Sequence, residues 1–410
     1  MIATFLACAC AGMTYVPLDV SIPQERKNNI IKQLNTNMII DSNIELMMDK
    51  PIDKEIPKIF LNENHVYYII FTSGSTGAPK GVQITYQNLK SCMNWLLGIC
   101  DVDKGIILNQ ANYSFDLSVA DIYLSLLTRS KHYILERNTQ KDFPKLFQEL
   151  KKSQATFAVM TPSFAELLMI DKSFDANLMP ALKKILFCGE KLTEKTVVKL
   201  YERFKEIEII NSYGPTECTF AVTSCIVKNE EQISIGIPKD DVDIFIMNDK
   251  FEILEDGKIG EILIVGESVG LGYLNKAMNN AFIDFQGKKA YCTGDLGYKE
   301  NGKLYYMGRK DKQIKYKGYR IELSEIENVL YELEWIEKAV VIARKNREEQ
   351  INKIIAFVKV NSNSNVTIQE IKKYLVDRLP EYMIPFIKIV NEMPLNENGK
   401  INEKELLEGV

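Results

Sequence analysis

Hydrophobic and polar positions alternate along the first three quarters of the chain in a way that predicts strands and helices in turn. Short apolar runs such as Tyr67–Phe71, Ala158–Met160 and Ile207–Ile210 are rich in strand-forming residues. Between such runs, segments such as Ser163–Ile170 have the wider apolar spacing of a helix face. This rhythm predicts parallel sheets covered by helices, and we expect one large α/β domain over residues 1–310.

The pattern changes near residue 230, where strands follow one another without helices. Asp243–Met247, Gly260–Val265 and Lys303–Met307 read as short strands separated by glycine turns. We therefore expect the last part of the large domain, about residues 230–310, to be a β-rich subdomain.

A second change, near Asp311, predicts a small mobile α+β domain over residues 311–410. Strands are expected at Gln313–Lys317, Val340–Arg344 and Ile354–Val360, and helices at Leu323–Leu333 and Ile368–Leu379. Ser324–Glu327 matches the capping-box pattern and is expected to start the first of these helices. The charged stretch around Asp311 suits an exposed hinge.

Composition and charge exclude several classes of protein. The 410 residues include 51 Lys and Arg against 55 Asp and Glu, so the net charge of −4 offers no basic surface for nucleic acid or membrane. No apolar stretch approaches the length of a membrane span. The 8 cysteines form no C-x-x-C pair and only 2 histidines accompany them, which argues against zinc and predicts free thiols in the cytoplasm. The apolar opening, residues 1–12, lacks the basic start of a signal peptide and reads as a buried helix.

The strongest candidate for chemistry is a loop that follows the predicted strand Tyr67–Phe71. It concentrates glycines, hydroxyls and one lysine, which suit phosphate oxygens, at Thr72, Ser73, Gly74, Ser75, Thr76, Gly77 and Lys80. A Walker A loop is excluded because Pro79 replaces its second glycine and Gly81 follows the lysine. An inert Gly/Ser turn is the alternative.

Two further loops supply groups that a nucleotide needs. In Asn211–Glu217, directly after a strand, Tyr213 can stack on a base and Glu217 can hold Mg²⁺. A turn with a capping glutamate would look the same. In Tyr291–Asp295, the carboxylate of Asp295 can accept hydrogen bonds from ribose hydroxyls.

Taken in order, these loops together with Gly308–Lys315, Gly318–Glu322 and Pro394–Lys400 resemble the signature motifs of the adenylate-forming ligases. The resemblance covers nearly the whole chain. It implies catalytic roles for Thr72, Lys80, Glu217 and Lys400, a contact of Arg309 with ribose or phosphate, a hinge at Asp311 and a thiol path along Gly318. It also implies ATP and Mg²⁺ as cofactors and further nucleotide contacts from Gly189, Glu190, Asn211, Gly214 and Thr216.

Tyr113–Val119 resembles the branch of these ligases that activates amino acids. There the position of Asp116 pairs with the substrate ammonium, and a buried carboxylate is tolerable only with a cation opposite it. Fatty and aryl acids offer no such cation, which disfavours an acyl-CoA synthetase. The alternative is that Asp116 caps the start of a helix.

Several longer segments resemble the D-alanine–D-alanyl carrier protein ligases. Carried over position by position, the amino acid pocket consists of Asp116, Leu117, Ala120, Val159, Leu186, Cys188, Ser212, Phe220 and Ala221. Cys188 is expected to select a small D-amino acid, or else to be a small buried apolar residue. Ala120 is smaller and Phe220 larger than the resemblance leads us to expect, so the pocket differs in shape.

The expected function is ATP-dependent activation of a small amino acid, D-alanine first, and its transfer to the phosphopantetheine thiol of a carrier protein. The alternatives are an adenylation domain of a non-ribosomal peptide synthetase for another small amino acid, and a truncated, weakly active homologue that only binds nucleotide or carrier. The family has a substantial segment before the motif Thr14–Asp19, whereas this chain begins close to it. If large-domain strands are missing, core surface would be exposed.

Overall fold

The computed structural model describes residues 1–36, 38–41, 61–74, 78–228, 232–346, 350–361, 366–394 and 401–408. These residues form a large N-terminal α/β domain and a smaller C-terminal α+β domain, as the sequence predicts. The boundary predicted after residue 310 lies between two strands, Lys303–Arg309 and Gln313–Tyr316.

The first two strands form an antiparallel hairpin. β1 (Val66–Thr72) pairs with β2 (Lys80–Thr85), so that Thr72 lies opposite Lys80. Residues 73–79 join the strands, and this connection is too short for the crossover of about a dozen residues that parallel strands need. The strand predicted at Tyr67–Phe71 is therefore confirmed, but its assignment to a parallel sheet is wrong.

A seven-stranded sheet forms the centre of the large domain. Its strands are β3 (Ile106–Asn109), β4 (Lys131–Ile134), β5 (Phe157–Met160), β6 (Lys184–Phe187), β7 (Glu208–Tyr213), β8 (Thr223–Val227) and β9 (Ile237–Pro238). They lie in the order β4-β3-β5-β6-β7-β8-β9, and β3 to β7 are parallel. The predicted parallel sheet is thus confirmed. The loops that follow β6 and β7 carry predicted nucleotide contacts, at Gly189 and Glu190 and at Gly214 and Thr216.

Helices cover both faces of this sheet. The described helices of the large domain are α1 (Ile2–Cys10), α2 (Gln24–Leu34), α3 (Tyr86–Cys100), α4 (Leu117–Thr128), α5 (Arg137–Gln140), α6 (Phe143–Ser153), α7 (Pro162–Leu168) and α8 (Glu194–Arg203). Neighbouring strand residues enter different apolar cores: Val159 packs with one cluster and Ala158 with the other. Burial on both faces explains the nearly continuous apolar runs of these strands.

Two details of the helices bear on the sequence predictions. The opening does form α1, but Phe5 is its only fully buried residue, so the prediction of a buried helix holds only in part. In the described part of the chain, no helix combines the length and the apolar character needed to cross a membrane.

The expected β-rich subdomain completes the large domain. Its strands are β10 (Val242–Met247), β11 (Gly260–Gly266), β12 (Phe282–Phe285), β13 (Lys288–Glu300) and β14 (Lys303–Arg309). All of their pairings are antiparallel. Short 3₁₀ segments at Thr216–Cys218 and Lys276–Ala281 lie close to the candidate site in sequence or space.

The small domain has a hairpin, a three-stranded sheet and helices. Its elements are β15 (Gln313–Tyr316), β16 (Tyr319–Glu322), α9 (Leu323–Tyr331), β17 (Ile336–Lys345), β18 (Ile351–Val360), α10 (Ile368–Arg378), a 3₁₀ segment (Glu381–Met383), β19 (Phe386–Ile389) and α11 (Glu403–Glu408). The predicted strands and helices are present. The sequence analysis missed β16, β19 and α11.

The capping box predicted at Ser324–Glu327 is wrong. α9 begins at Leu323, and Glu322 holds the N-cap position without a side-chain cap. The glutamates of this segment bind elsewhere: Glu322 accepts a hydrogen bond from Gln313, and Glu327 accepts one from the backbone of Val341 at 2.9 Å. Because Glu327 is engaged in this tertiary contact, it does not make the reciprocal hydrogen bond that a capping box requires.

Candidate active site

A cleft that is partly open to solvent lies between the two domains. The predicted site residues that line it are Thr72, Ser73, Asp116, Leu117, Cys188, Gly189, Gly214, Thr216, Phe220, Asp295 and Arg309. The small domain closes it with Gln313, Lys315, Gly318, Arg320 and Tyr382. The cleft therefore gathers residues from both domains and from several separate segments of the chain.

The loop after β1 reaches the cleft with its first residues. The hydroxyl of Thr72 is buried and has no hydrogen-bond partner among the described residues. Ser73 donates a hydrogen bond to the carbonyl of Arg320 at 2.8 Å, and the amide of Gly74 donates to Glu325 at 3.2 Å. A Cβ on Gly74 would lie 2.1 Å from the carbonyl oxygen of Ala78, so the turn requires glycine. The predicted contacts at 75–77 lie outside the described residues.

Lys80 lies beside this loop but does not line the cleft. Its Nζ is 5.5 Å from the ring centroid of Tyr273. The hydroxyl of that tyrosine donates to Glu217 at 2.6 Å, which links the lysine to the candidate metal ligand through one ring.

Glu217 is a fully buried carboxylate that already has a cation opposite it. Arg320 of the small domain donates to it at 2.6 Å, in addition to Tyr273. Burial alone would raise the pKa of Glu217, but Arg320 and Tyr273 outweigh burial and hold this pKa below its ordinary value. The carboxylate is ionised at neutral pH, and the positive charge of Arg320 stabilises it.

Glu217 is the candidate ligand for a magnesium ion. Within the described ranges, no group of three or more His, Cys, Asp and Glu side chains could hold a metal by itself. Magnesium needs no such group when a substrate contributes phosphates, because it then binds through one or two carboxylates. Glu217 has the ionised oxygens that this requires, but here they bind Arg320 and Tyr273 and the residue does not line the cleft, so its contact with Mg²⁺ stays a prediction.

Asp295 and Arg309 form a charged pair that lines the cleft. Asp295 accepts hydrogen bonds from Tyr213 at 2.7 Å and from Arg309 at 2.6 Å. Arg309 also holds the predicted hinge residue Asp311 through two hydrogen bonds of 2.7 and 2.8 Å. Burial raises the pKa of Asp311, but the guanidinium of Arg309 overcomes this effect and lowers it. The hinge is thus tied to the nucleotide side of the cleft.

Asp116 has no comparable partner. It occupies the N-cap position of α4 but makes no capping hydrogen bond, which removes the structural alternative for this residue. Burial raises the pKa of Asp116, against the lowering effect of the Thr216 hydroxyl and of more distant cations. Its carboxylate lines the cleft beside Leu117 and Phe220. A positively charged ligand would supply the cation that the protein does not place beside Asp116.

Cys188 also lines this end of the cleft. Its sulfur lies 3.9 Å from the carbonyl oxygen of Phe220, and burial raises its pKa to about 11. The thiol is neutral and unreactive at physiological pH. What it can contribute to the predicted pocket is its size, and this role stays a prediction.

The other predicted pocket residues lie deeper. Ala120, Val159, Leu186 and Ala221 belong to the apolar cluster that also contains Leu117, Cys188 and Phe220. Ser212 donates its hydroxyl to the carbonyl of Phe187 at 2.8 Å. None of these five lines the cleft in the described structure, so their contact with substrate stays a prediction.

Three predicted nucleotide contacts have other partners in this structure. Asn211 donates its amide to the carbonyl of Ser234 at 2.8 Å. Tyr213 is buried, with Lys315 Nζ at 5.5 Å from its ring centroid. Glu190 binds two backbone amides, one of them in the small domain. Their nucleotide contacts also stay predictions.

The small domain presents the turn at Gly318 to the cleft. Phe115 of the large domain packs edge-on against Tyr319, which stacks on Tyr382 with centroids 3.8 Å apart. Lys400 lies outside the described residues. On either side of it, Met393 and Ile401 pack with a different apolar cluster, and no residue of 391–394 or 401–408 lines the cleft.

Solvent-exposed ion pairs surround this interface. Glu381 of the small domain pairs with Arg137 at 3.3 Å and with Lys141 at 2.9 Å. Arg378 lies 3.8 Å from Glu25 of α2. At the buried centre, Glu325 pairs with Arg26. The sequence analysis assigned no role to Arg320 or Glu325, although both lie in or beside the Gly318–Glu322 motif.

This fold and cleft define an enzyme that forms adenylates, and the comparison with known families agrees. Residues 1–274 match the AMP-binding enzyme family, and residues 325–400 match the AMP-binding enzyme C-terminal domain. The chain belongs to the AMP-binding enzyme family.

Its relatives include enzymes named D-alanine–D-alanyl carrier protein ligase. Those of Bacillus cereus (strain B4264) and Bacillus thuringiensis (strain Al Hakam) are each 39% identical over 441 aligned positions, which span 100% of this chain and 87% of the relative. The resemblance seen in the motifs is confirmed at the level of the whole chain.

Solved structures share the fold. The adenylation domain AlmE of Vibrio cholerae, in complex with glycyl-adenosine-5′-phosphate, has a TM-score of 0.86 at 23% identity and covers 100% of this chain and 86% of its own. The o-succinylbenzoate CoA synthetase of Bacillus subtilis has a TM-score of 0.85 at 22% identity, with 99% and 85% covered.

Proposed function

We propose that this protein activates D-alanine with ATP and transfers it to the phosphopantetheine thiol of a carrier protein. The observation that carries the proposal is Asp116, a buried carboxylate in the cleft that neither caps its helix nor pairs with a protein cation. An amino acid ammonium would satisfy it. The names of the relatives, which describe D-alanine and a carrier protein, support this substrate and partner.

In the first half-reaction, an oxygen of the amino acid carboxylate attacks the α-phosphorus of ATP and pyrophosphate leaves. No general base is needed, because the carboxylate is already ionised. Asp116 orients the amino acid, the loop at Thr72–Lys80 cradles the phosphates and Asp295 accepts the ribose hydroxyls. Mg²⁺ held by Glu217 would supply positive charge to the phosphates. Lys400 is proposed to bring a further positive charge to the reacting groups.

In the second half-reaction, the carrier thiol attacks the acyl carbon of the adenylate. A carbon–sulfur bond forms, the bond to AMP breaks, and the thiol proton passes to solvent. The small domain turns about Asp311 between the two steps. The observed contact of the Gly318 turn with the cleft supports assigning this arrangement to the second step.

A cytoplasmic location is part of the proposal. The eight cysteines, all of which the structure describes, form no disulfide, and Cys10 is exposed. Free thiols suit a reducing compartment, where ATP is also supplied.

The test is amino-acid-dependent exchange between ATP and pyrophosphate, with D-alanine, L-alanine, glycine and D-serine compared. We expect exchange with D-alanine well above L-alanine, and its loss in Lys400→Ala. Transfer of labelled D-alanine to a phosphopantetheinylated carrier then tests the second step. Absence of exchange with every amino acid, from a folded sample, would refute the proposal.

A second candidate is activation of another small amino acid for peptide synthesis. It is favoured by Phe220, a bulky residue that lines the cleft with a backbone φ of 72°. A large ring held in this conformation reduces the space beside Asp116. Exchange that is stronger with glycine than with D-alanine would support this candidate, and the chemistry would be the same.

A further inference from the structure

We infer that Glu190 is a positioning residue for the second half-reaction, because its carboxylate holds the Gly318 turn of the small domain over the cleft. This inference rests on the proposed function and names a residue that would separate the two half-reactions. Glu190 directly follows the cleft-lining residue Gly189, at the carboxyl end of β6.

The two carboxylate oxygens of Glu190 bind different domains. One oxygen accepts a hydrogen bond from the amide of Ser163, in the first turn of α7, at 3.0 Å. The other accepts one from the amide of Gly318 at 2.6 Å. The first bond fixes the side chain on the large domain, so the second oxygen is oriented before the small domain arrives.

The small domain presents this amide on a tight turn. Lys317 and Gly318 join β15 to β16 with φ angles of 52° and 79°, both in the left-handed region that a two-residue hairpin turn of type I′ requires. The turn geometry therefore directs the Gly318 N–H outward. A Cβ on Gly318 would lie 2.8 Å from the Thr161 side chain, so the backbone itself approaches the large domain.

A carboxylate that accepts from a backbone amide makes a charge-assisted hydrogen bond, which is about twice as strong as a neutral one. Glutamine at position 190 would keep the size but lose this charge, and its amide group would face one of the two N–H donors. The arrangement with Gly318 at the cleft should lose population, whereas adenylation precedes this arrangement and does not use the contact with Gly318. The nucleotide contact predicted for Glu190 from the sequence is a separate role, and the KM for ATP in the exchange assay tests it.

The experiment compares the two half-reactions in Glu190→Gln. Exchange between ATP and pyrophosphate reports the first, and single-turnover transfer from preformed aminoacyl-adenylate to a phosphopantetheinylated carrier reports the second. We expect the ratio of transfer rate to exchange rate to fall about tenfold, as loss of one charged hydrogen bond implies. Glu190→Ala should lower the ratio at least as far.

Glu166→Gln is the matched control. Glu166 also accepts a hydrogen bond from the small domain, from Gln350 at 2.7 Å, but it does not line the cleft. We expect its ratio to equal that of the unaltered protein. Thermal unfolding checks that each variant is folded.

The possible results separate the explanations. An unchanged ratio in a folded Glu190→Gln would overturn the inference. Equal loss of both half-reactions with a raised KM for ATP would also overturn it and make Glu190 a nucleotide contact. If the unaltered protein shows no exchange at all, the proposed function fails instead.

Discussion

Buried carboxylates of this site are of two kinds, named here by their proposed roles: the nucleotide end (Glu217 and Asp295) and the amino acid end (Asp116). The two lie near each other, since Glu217 helps to raise the pKa of Asp116. At the nucleotide end, Glu217 faces Arg320 and Asp295 faces Arg309, each at 2.6 Å. At the amino acid end, Asp116 lies beside apolar side chains, and no guanidinium or ammonium in the described structure reaches it within salt-bridge distance. Arginines of the protein thus neutralise the carboxylates of the nucleotide end, whereas no protein cation neutralises Asp116 at the amino acid end.

The comparison explains how such an enzyme can be both adaptable and selective. Paired carboxylates stay ionised without a ligand, so the nucleotide end is stable whether it is filled or empty. An unpaired buried carboxylate is costly, and a ligand that brings a cation removes that cost. On the proposed function, the amino acid end would therefore recognise the ammonium group first and the side chain second.

The largest effect should come from removing the unbalanced charge. Asp116→Asn should lower amino-acid-dependent exchange by about 100-fold or more, because a charged hydrogen bond to the ammonium is lost. Steady-state exchange at saturating ATP measures it. A variant that keeps most of its exchange would show that Asp116 does not bind the ammonium.

Asp121→Asn is the matched control for that prediction. Asp121 lies on the same helix, is fully buried, and accepts a hydrogen bond from Asn109 at 2.6 Å. Burial raises the pKa of Asp121 well above its ordinary value, and Asp121 does not line the cleft. Its exchange should stay within about twofold of the unaltered protein.

The nucleotide end is tested through the dependence of exchange on Mg²⁺. Glu217→Gln should raise the Mg²⁺ concentration for half-maximal exchange about tenfold or more, since it removes the ionised oxygen ligand. The measurement is a Mg²⁺ titration after removal of metal with a chelator. Glu261→Gln is the control. Glu261 pairs with Lys310 at a distance of 3.2 Å and does not line the cleft, so this change should leave the Mg²⁺ concentration for half-maximal exchange unchanged.

The pH dependence sharpens the contrast between the ends. Because burial raises the pKa of Asp116, its carboxylate takes up a proton sooner than an exposed aspartate as the pH falls. Protonation removes the charge that binds the ammonium, so the KM for the amino acid should rise as the pH falls, and the rise should begin at a higher pH than an ordinary aspartate, with a pKa of about 3.9, would give. The KM for ATP over the same range is the reference. An amino acid KM that does not change with pH would contradict this assignment.

The smallest effect concerns the shape of the pocket. The Cys188 thiol is neutral, with a pKa raised by burial to about 11, so Cys188→Ala changes volume and not charge. We expect the preference for D-alanine over L-alanine to fall about threefold to tenfold, the range of one small group in an apolar pocket. Cys92→Ala, at a buried cysteine of the same cluster that does not line the cleft, should keep the preference.

The local parts of this site could be predicted from the sequence. Thr72, Asp116 and Asp295 each lie in a short segment whose chemistry is complete by itself, and the structure places all three in one cleft. Strands such as Phe157–Met160 were also predictable, because burial on both faces leaves an uninterrupted apolar run.

The contacts between domains could not be predicted in this way. Arg320 and Glu217 are 103 residues apart, and Gly318 and Glu190 are 128 apart. From the sequence alone, Arg320 has no assigned role, and Glu217 and Glu190 read as ligands of the metal or the nucleotide rather than as partners of the small domain. Their partners are chosen by how the small domain packs, and no spacing in the sequence records that packing.

Dissolved salt acts differently on the two kinds of contact that hold the small domain. Glu381 with Lys141, and Arg378 with Glu25, are exposed pairs, and mobile ions screen such charges over about 8 Å at physiological ionic strength. The pair of Glu217 and Arg320 is shielded from those ions by burial. Added salt should therefore loosen the edge of the interface while its centre persists, and ionic strength becomes a means of slowing carrier loading without altering a residue.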